Sequence, residues 1–221
     1  MKAEEPDAIS ELPIQQSLLG MRQPAPEAES DLSQLGSGLM FCMHCGHALA
    51  DLPHTCCPAC NEPHWLNPKP SASALVIHNN AILLVKRASE PWRGAWDIPG
   101  GFCDPAEHPE ATAIREVREE VGLDITITGF LGIWMDVYPD QPGTAGERPV
   151  ESTLNIYYMA RATHPGHLDV NPSEVSEARY FQNWELPDTL AFPDHISPVL
   201  EAWKTAAADR DSMVVEPSTA N

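Results

Sequence analysis

Periodicity divides the chain into a polar front, a cysteine-dense segment and a longer folded body. Ser73–His78 and Ala81–Arg87 are apolar runs on either side of Asn79-Asn80. Asn tolerates positive φ, so this pattern predicts a two-residue hairpin. Trp96–Gly101 is a short apolar stretch ending in Pro99-Gly100-Gly101. Pro109–Val121 repeats apolar residues at helical spacing, with Pro109 suited to the first turn and Gly122 to the residue after the last. Strand-like runs follow at Ile125–Asp136, Thr153–Ala162 and Ala178–Trp184. The Pro- and Gly-rich interval Pro139–Pro149 predicts a loop between the first two. His195–Ala206 predicts a closing helix, and Asn67-Pro68-Lys69-Pro70 a rigid extended connector ahead of the body.

Composition adds limits. The chain has 221 residues and 43% hydrophobic content, enough for one packed domain and a smaller module. The longest aliphatic run, Ala81–Val85, is far shorter than the ~20 residues of a membrane helix. The first residues carry Glu4, Glu5 and Asp7 and show neither a basic nor an apolar leader region, which predicts a cytoplasmic protein. Net charge is −19. Binding nucleic acid through phosphate neutralisation needs clustered Lys and Arg, so no nucleic-acid partner and no anionic membrane partner are expected. Residues 1–38 hold seven acidic residues against Lys2 and Arg22 and no aromatic, the composition of a disordered acidic tail. Residues 207–221 predict a second, flexible tail.

Five of the six cysteines fall between Cys42 and Cys60. Cys42-Met43-His44-Cys45-Gly46 is one CxxC knuckle and Cys57-Pro58-Ala59-Cys60 a second. Two such pairs bring four thiolates within reach of one tetrahedral zinc ion at ~2.3 Å. Cys56 is the alternative to Cys57 as third ligand, and His44, His47 and His54 are solvated neighbours. A segment as short as 39–66 cannot build its own core, so a structural zinc ribbon is expected there. The segment has no Lys or Arg, which argues against a nucleic-acid role.

At about 100° per residue, Glu116, Glu119 and Glu120 share an arc of about 100° on the predicted helix, opposite Ile114, Val117 and Val121. Three carboxylates on one face are either solvated by water or ligands for a hard divalent cation. The residues upstream bear on that choice. Gly101, then five residues, Glu107, seven more, and Arg115-Glu116-Val117-Arg118-Glu119-Glu120-Val121-Gly122-Leu123 spell G-x5-E-x7-R-E-U-x-E-E-x-G-U, with U aliphatic. Every fixed position of the Nudix box is present, and residues 67–206 resemble a Nudix hydrolase domain.

The resemblance implies an α/β/α sandwich around a mixed sheet, here preceded by the ribbon. It also implies Mg2+- or Mn2+-dependent hydrolysis of nucleoside diphosphates linked to a further group. By the family motif, Glu116, Glu119 and Glu120 hold the metals, Glu107 and Arg115 brace loop and helix, and the Gly100 carbonyl is a backbone ligand. Glu116 or Glu120 is the general base. A ribbon joined to a Nudix domain is similar to NADH pyrophosphatases and to ADP-ribose and FAD diphosphatases. Glu174, with Glu177 as its neighbouring candidate, matches an additional metal-binding Glu of the former group. The S-Q-P-W-P-F-P-x-S stretch of that group is absent: Gly132–Pro139 reads GIWMDVYP. Trp184-Glu185-Leu186-Pro187 looks more like the ADP-ribose and FAD group. The expected substrate is therefore ADP-ribose, FAD or a related dinucleotide, with NADH and a non-catalytic nucleotide sensor as alternatives. Outside the box, Trp134 and Tyr138 are candidates to stack a base, and Arg93, Arg148, Lys86 and Arg87 to meet phosphate. Cys103 is read as an inert small residue. A homodimer is an expectation of the resemblance alone.

Overall fold

The computed structural model describes residues 40–49, 54–65, 67–137 and 152–212. The acidic segment 1–38 and the Pro139–Pro149 loop, with Tyr138 and Arg148, lie outside them. The first described module consists of two short hairpins, β1 (Met40–Phe41) with β2 (Ala48–Leu49) and β3 (His54–Cys56) with β4 (Pro63–Trp65). Each carries one CxxC turn of the same build. The Gly46 amide donates to the Cys42 carbonyl at 2.8 Å, and the Asn61 amide to the Cys57 carbonyl at 2.7 Å. Gly46 and Asn61 both sit at positive φ, 73° and 63°. Only Cys42, Leu49 and Cys57 form a buried apolar cluster there among the described residues.

In the body, β5 (Lys69–His78) turns through Asn79 and Asn80, both at positive φ, into β6 (Ala81–Arg87), as the hairpin pattern predicts. Short strands β7 (Trp96–Asp97) and β8 (Gly100–Phe102) lead to helix α1 (Pro109–Val121). The His108 side chain caps the helix start by accepting the Glu110 amide, and Gly122 ends the helix at φ 69°. Strands β9 (Ile125–Val137), β10 (Ser152–Ala162) and β11 (Val175–Phe181) and helix α2 (Pro193–Ser212) follow. The sheet runs β11-β6-β5-β10-β9, with β7 on β6 and β8 on β5. It is mixed, because β5 and β10 pair in parallel and the other pairs are antiparallel.

Alternation along β5 and β6 sends residues to two faces. Ala74, Val76, Leu83 and Val85 meet Ala113, Val117 and Val121 of α1. Leu75, Ile82 and Leu84 meet Ile196, Val199, Leu200 and Trp203 of α2. The result is the expected three-layer sandwich. Each fully buried large side chain contributes about 1.5–3 kcal/mol.

Three elements depart from their expected bounds by more than one residue. Lys69-Pro70, read as connector, already pairs with β10 at Thr153 and Leu154. The last strand lies at Val175–Phe181 and not Ala178–Trp184, because pairing with β6 selects buried Val175 and leaves Trp184 77% exposed. Helix α2 starts at Pro193 and takes in residues 207–212, which were expected in the tail.

Candidate active site

The edge of β8 and one face of α1 build the site together. The β8 ladder hydrogen-bonds to β5 through the Ala74 amide to the Pro99 carbonyl and the Cys103 amide to the Pro70 carbonyl, each at 3.0 Å. In an antiparallel ladder the residues between such pairs face away from the partner. Gly100 is one of these, and its amide donates to Glu120 Oε2 at 3.2 Å. Phe102 is the other, and its carbonyl accepts from Arg115 Nη2 at 3.2 Å.

Arg115 spends all five of its N–H donors. It grips Glu107 bidentately, Nε to Oε1 and Nη2 to Oε2, both at 2.9 Å. Nη1 reaches Glu116 Oε1 at 2.8 Å and Glu119 Oε2 at 3.1 Å. Glu107 also accepts the Asp104 amide and the Thr112 hydroxyl. Arg115 first, then those two donors, hold the Glu107 carboxyl at about 2, well below its ordinary 4.5. A depressed carboxylate stabilises the fold fully above its ordinary value, and that contribution fades as pH falls from about 4.5 toward 2. Glu107→Gln is therefore expected to lower the melting temperature at pH 7. The gap to the wild-type chain should close as both are titrated to pH 2, read by thermal melts across pH. A gap independent of pH would mean that the ion pair does not carry the effect.

The loop before β11 brings the third carboxylate. The Asn171 amide donates to the Glu120 carbonyl at 2.9 Å, so this loop caps the end of α1. Asn171 Nδ2 holds Glu174 Oε1 at 3.3 Å, and the Ala88 amide holds the Glu174 carbonyl at 2.8 Å. Carboxylate oxygens of Glu116, Glu120 and Glu174 lie within 4.8 Å of one another. Glu119 is instead turned to Arg115. Burial raises the Glu116 and Glu120 carboxyls, Glu120 far more, with Asp97 and Glu116 adding repulsion at Glu120. This donor set consists of hard oxygens crowded together with little positive charge between them, which suits Mg2+ or Mn2+.

Gly101 keeps the group open. A Cβ there would stand 2.5 Å from Glu116 Oε1, the movable end of a side chain. Gly101→Ala is thus expected to leave the melting temperature within a few degrees while pushing Glu116 aside. The cost should be about 10²-fold in turnover, the scale of a 1 Å misplacement. Unchanged kinetics would show that Glu116 need not stand where it does.

These carboxylates line a cleft of about 250 Å³. Its wall contains groups that sequence patterns missed. Partly buried Asp97 pairs with Arg87 Nη1 at 3.0 Å, and His195 Nδ1 meets Asp136 Oδ2 at 2.7 Å. Ser71 donates to Asn155 Oδ1 at 2.6 Å. A charge inside the apolar Trp96–Gly101 stretch was the one available signal for Asp97. Arg93 and Trp134 do not line the cleft. Arg93 is 66% exposed and lies 3.8 Å from Glu90, and Trp134 is 7% exposed and packs edge-on to Tyr157 at 5.5 Å. Arg87, a phosphate candidate, is committed to Asp97 and to the Pro91 carbonyl.

In the first module, Cys42 and Cys60 Sγ are 3.6 Å apart, as are Cys45 and Cys57 Sγ. Four sulfurs at ~2.3 Å from a tetrahedral ion are separated by about 3.8 Å, so this cluster can hold zinc without rearrangement.

The NUDIX domain family model matches residues 67–201. An NAD-capped RNA hydrolase NudC of Stutzerimonas stutzeri is 30% identical over 181 residues, covering 76% of this chain and 60% of that protein. An ADP-ribose pyrophosphatase of Methanocaldococcus jannaschii is 33% identical over 131 residues, covering 59% of this chain and 70% of that protein. This chain thus spans less than two thirds of the NudC relative. A solved NUDIX hydrolase from Nitrosomonas europaea superposes with a TM-score of 0.59 at 26% identity, over 76% of this chain and 92% of that one. A MutT NUDIX hydrolase from Burkholderia pseudomallei gives 0.52 at 26%, over 62% and 98%. No helix among the described residues is long and apolar enough to cross a membrane.

Proposed function

The chain belongs to the NUDIX family, and from that premise we propose that it hydrolyses the diphosphate bond of nucleoside diphosphate derivatives, ADP-ribose, FAD or a related dinucleotide, in a metal-dependent reaction. The observation that carries this reading is the Glu116–Glu120–Glu174 group beside the outward-facing backbone of Gly100 in the cleft. Mg2+ or Mn2+ held by these carboxylates, with the Gly100 carbonyl and, once released from Arg115, Glu119 as further ligands, would supply charge neutralisation on the diphosphate and a more acidic bound water.

The chain's own residues do the rest. Arg115 and Glu107 lock the loop to α1, so that Glu116 is held by Nη1 before substrate arrives. Glu120 has no cationic partner among the described residues, which makes it the better proton acceptor of the pair. The zinc ribbon at 39–66 serves structure, and the catalytic domain is 67–206.

The relative named NAD-capped RNA hydrolase keeps NADH in view as a second substrate, although the stretch at Gly132–Pro139 lacks the NADH-type motif. One screen with Mg2+ or Mn2+ tests the reading. ADP-ribose, FAD, NADH, dinucleoside polyphosphates, nucleotide sugars and an NAD-capped oligonucleotide are offered, and AMP release is followed. Turnover of ADP-ribose or FAD above the others is expected. No cleavage of any diphosphate with either metal would refute it.

A further inference from the structure

Apart from the carboxylates and their arginine, the cleft wall holds His195, which forms a largely buried titratable pair with Asp136. His195, near the start of α2, is 5% exposed and turns Nδ1 to Asp136 Oδ2 at 2.7 Å. Asp136 sits near the end of β9, 59 positions away. Phe192 stacks on the imidazole at 5.6 Å and 26°, and Tyr157 abuts it at 6.1 Å. The ring is fixed in place and in direction. A carboxylate only accepts hydrogen bonds, so the hydrogen on Nδ1 points to Asp136, and the ring in its neutral form presents a lone pair at Nε2. Nε2 has no partner among the described residues and is not one of their sealed, unpartnered polar atoms. His195 also lines the cleft that holds Glu116, Glu120 and Glu174. Nε2 is therefore the atom this ring offers to a ligand.

The neighbours say which part of a ligand. Asp97 lines the same cleft as His195, and Glu120 feels its charge. His195, Asp97 and the three carboxylates thus face one cleft. A phosphate oxygen is a poor match for Nε2 itself, because lone pair would face lone pair. In a nucleoside diphosphate the group next to the phosphates is the sugar, and its hydroxyls are donors. A cleft of about 250 Å³ falls just short of the about 300 Å³ at which ligand pockets begin. Phe192, which lines the cleft, meets Trp92 edge-on at 6.2 Å, and Trp92 keeps 38% of its surface exposed. Trp92 and Phe192 are both held at positive φ, 65° and 43°, a conformation that bulky residues keep only where their surroundings impose it.

We propose that His195, oriented by Asp136, is a substrate-contacting residue whose Nε2 accepts a hydrogen bond from a sugar hydroxyl of the nucleotide. The assignment rests on the nucleoside diphosphate reading above. To test it, binding of AMP and of 2′,3′-dideoxy-AMP to the full chain is measured by calorimetry, alongside hydrolysis of ADP-ribose. The wild-type chain is expected to bind AMP roughly tenfold more tightly than the dideoxy compound. His195→Gln, whose amide reaches the Nε2 position, keeps part of that preference. His195→Asn, whose amide reaches only the Nδ1 position and retains the Asp136 bond, loses it at an unchanged melting temperature. Asp136→Asn donates to Nδ1, moves the ring hydrogen to Nε2 and loses the preference as well. A purely structural dyad reverses the order, with Asn tolerated and Gln not. Wild-type preference in His195→Asn, or a wild-type chain indifferent to the hydroxyls, overturns the assignment. A chain that shows the preference yet cleaves no diphosphate refutes the hydrolase reading and leaves His195 as assigned.

Discussion

Glu120→Gln is expected to abolish metal-dependent hydrolysis, by at least about 10³-fold, while the metal-free protein melts no lower than the wild-type chain. Charge stabilisation by bound cations is worth several kcal/mol, and each 1.36 kcal/mol is a factor of ten in rate. The stability half follows from the raised Glu120 carboxyl. Burial is the first cause, followed by the charges of Asp97 and Glu116, with the Gly100 amide opposing them. A carboxyl raised in the folded state binds its proton more tightly there than in the unfolded chain. Its ionisation therefore costs stability, starting near the ordinary 4.5 and growing as pH rises toward the folded value. Gln removes that cost. The variant should equal or exceed the wild-type melting temperature at pH 7.5, and the difference should shrink toward pH 4.5. Mg2+ should raise the wild-type melting temperature and raise that of the variant less. Near-normal turnover in Glu120→Gln would end the metal assignment, and a variant that melts much lower would mean that the carboxylate is structural.

The parts of this site that were legible in sequence are those written within one element or its immediate approach. The helix over Pro109–Val121, its Gly122 terminator and the Asn79-Asn80 turn depend on local φ preferences and on a 3.6-residue period. The same period placed Glu119 with Glu116 and Glu120. In the fold Glu119 goes to Arg115, its i−4 neighbour, because a guanidinium with five donors recruits every carboxylate within reach. Groups that meet across the sheet had no such signal. Asp97 finds Arg87 over ten residues and His195 finds Asp136 over 59, and neither member of either pair carries a pattern that names the other. The last strand was displaced for a related reason. Tyr180, Phe181 and Trp184 drew the apolar run toward the C-terminus, whereas pairing with β6 decides which residues are buried.

Cys57→Ser is expected to strip the ribbon of its metal and unfold it. Its strands are two or three residues long, and isolated two-stranded hairpins are marginal in water. Its described core is two cysteines and Leu49. The thiols cannot all ionise by themselves. Although burial opposes it, the amides of Ala59 and Cys60 draw the Cys57 thiol down to about 7. The Glu62 amide favours the Cys60 thiolate, yet burial and the neighbouring sulfurs push that thiol up to about 12. A divalent cation removes this conflict, and structural zinc contributes about 10–16 kcal/mol of apparent binding energy at pH 7. The wild-type chain should carry about one zinc by elemental analysis. Cys57→Ser should carry none and lose protease resistance within 40–65, while the body, whose two cores share no residue with the ribbon, keeps its melting transition. Cys56 lies outside the four-sulfur group, so Cys56→Ser should keep its zinc. Zinc lost from Cys56→Ser and kept in Cys57→Ser would move the third ligand to Cys56, and a zinc-free wild-type chain purified without chelator would leave the ribbon without its source of stability.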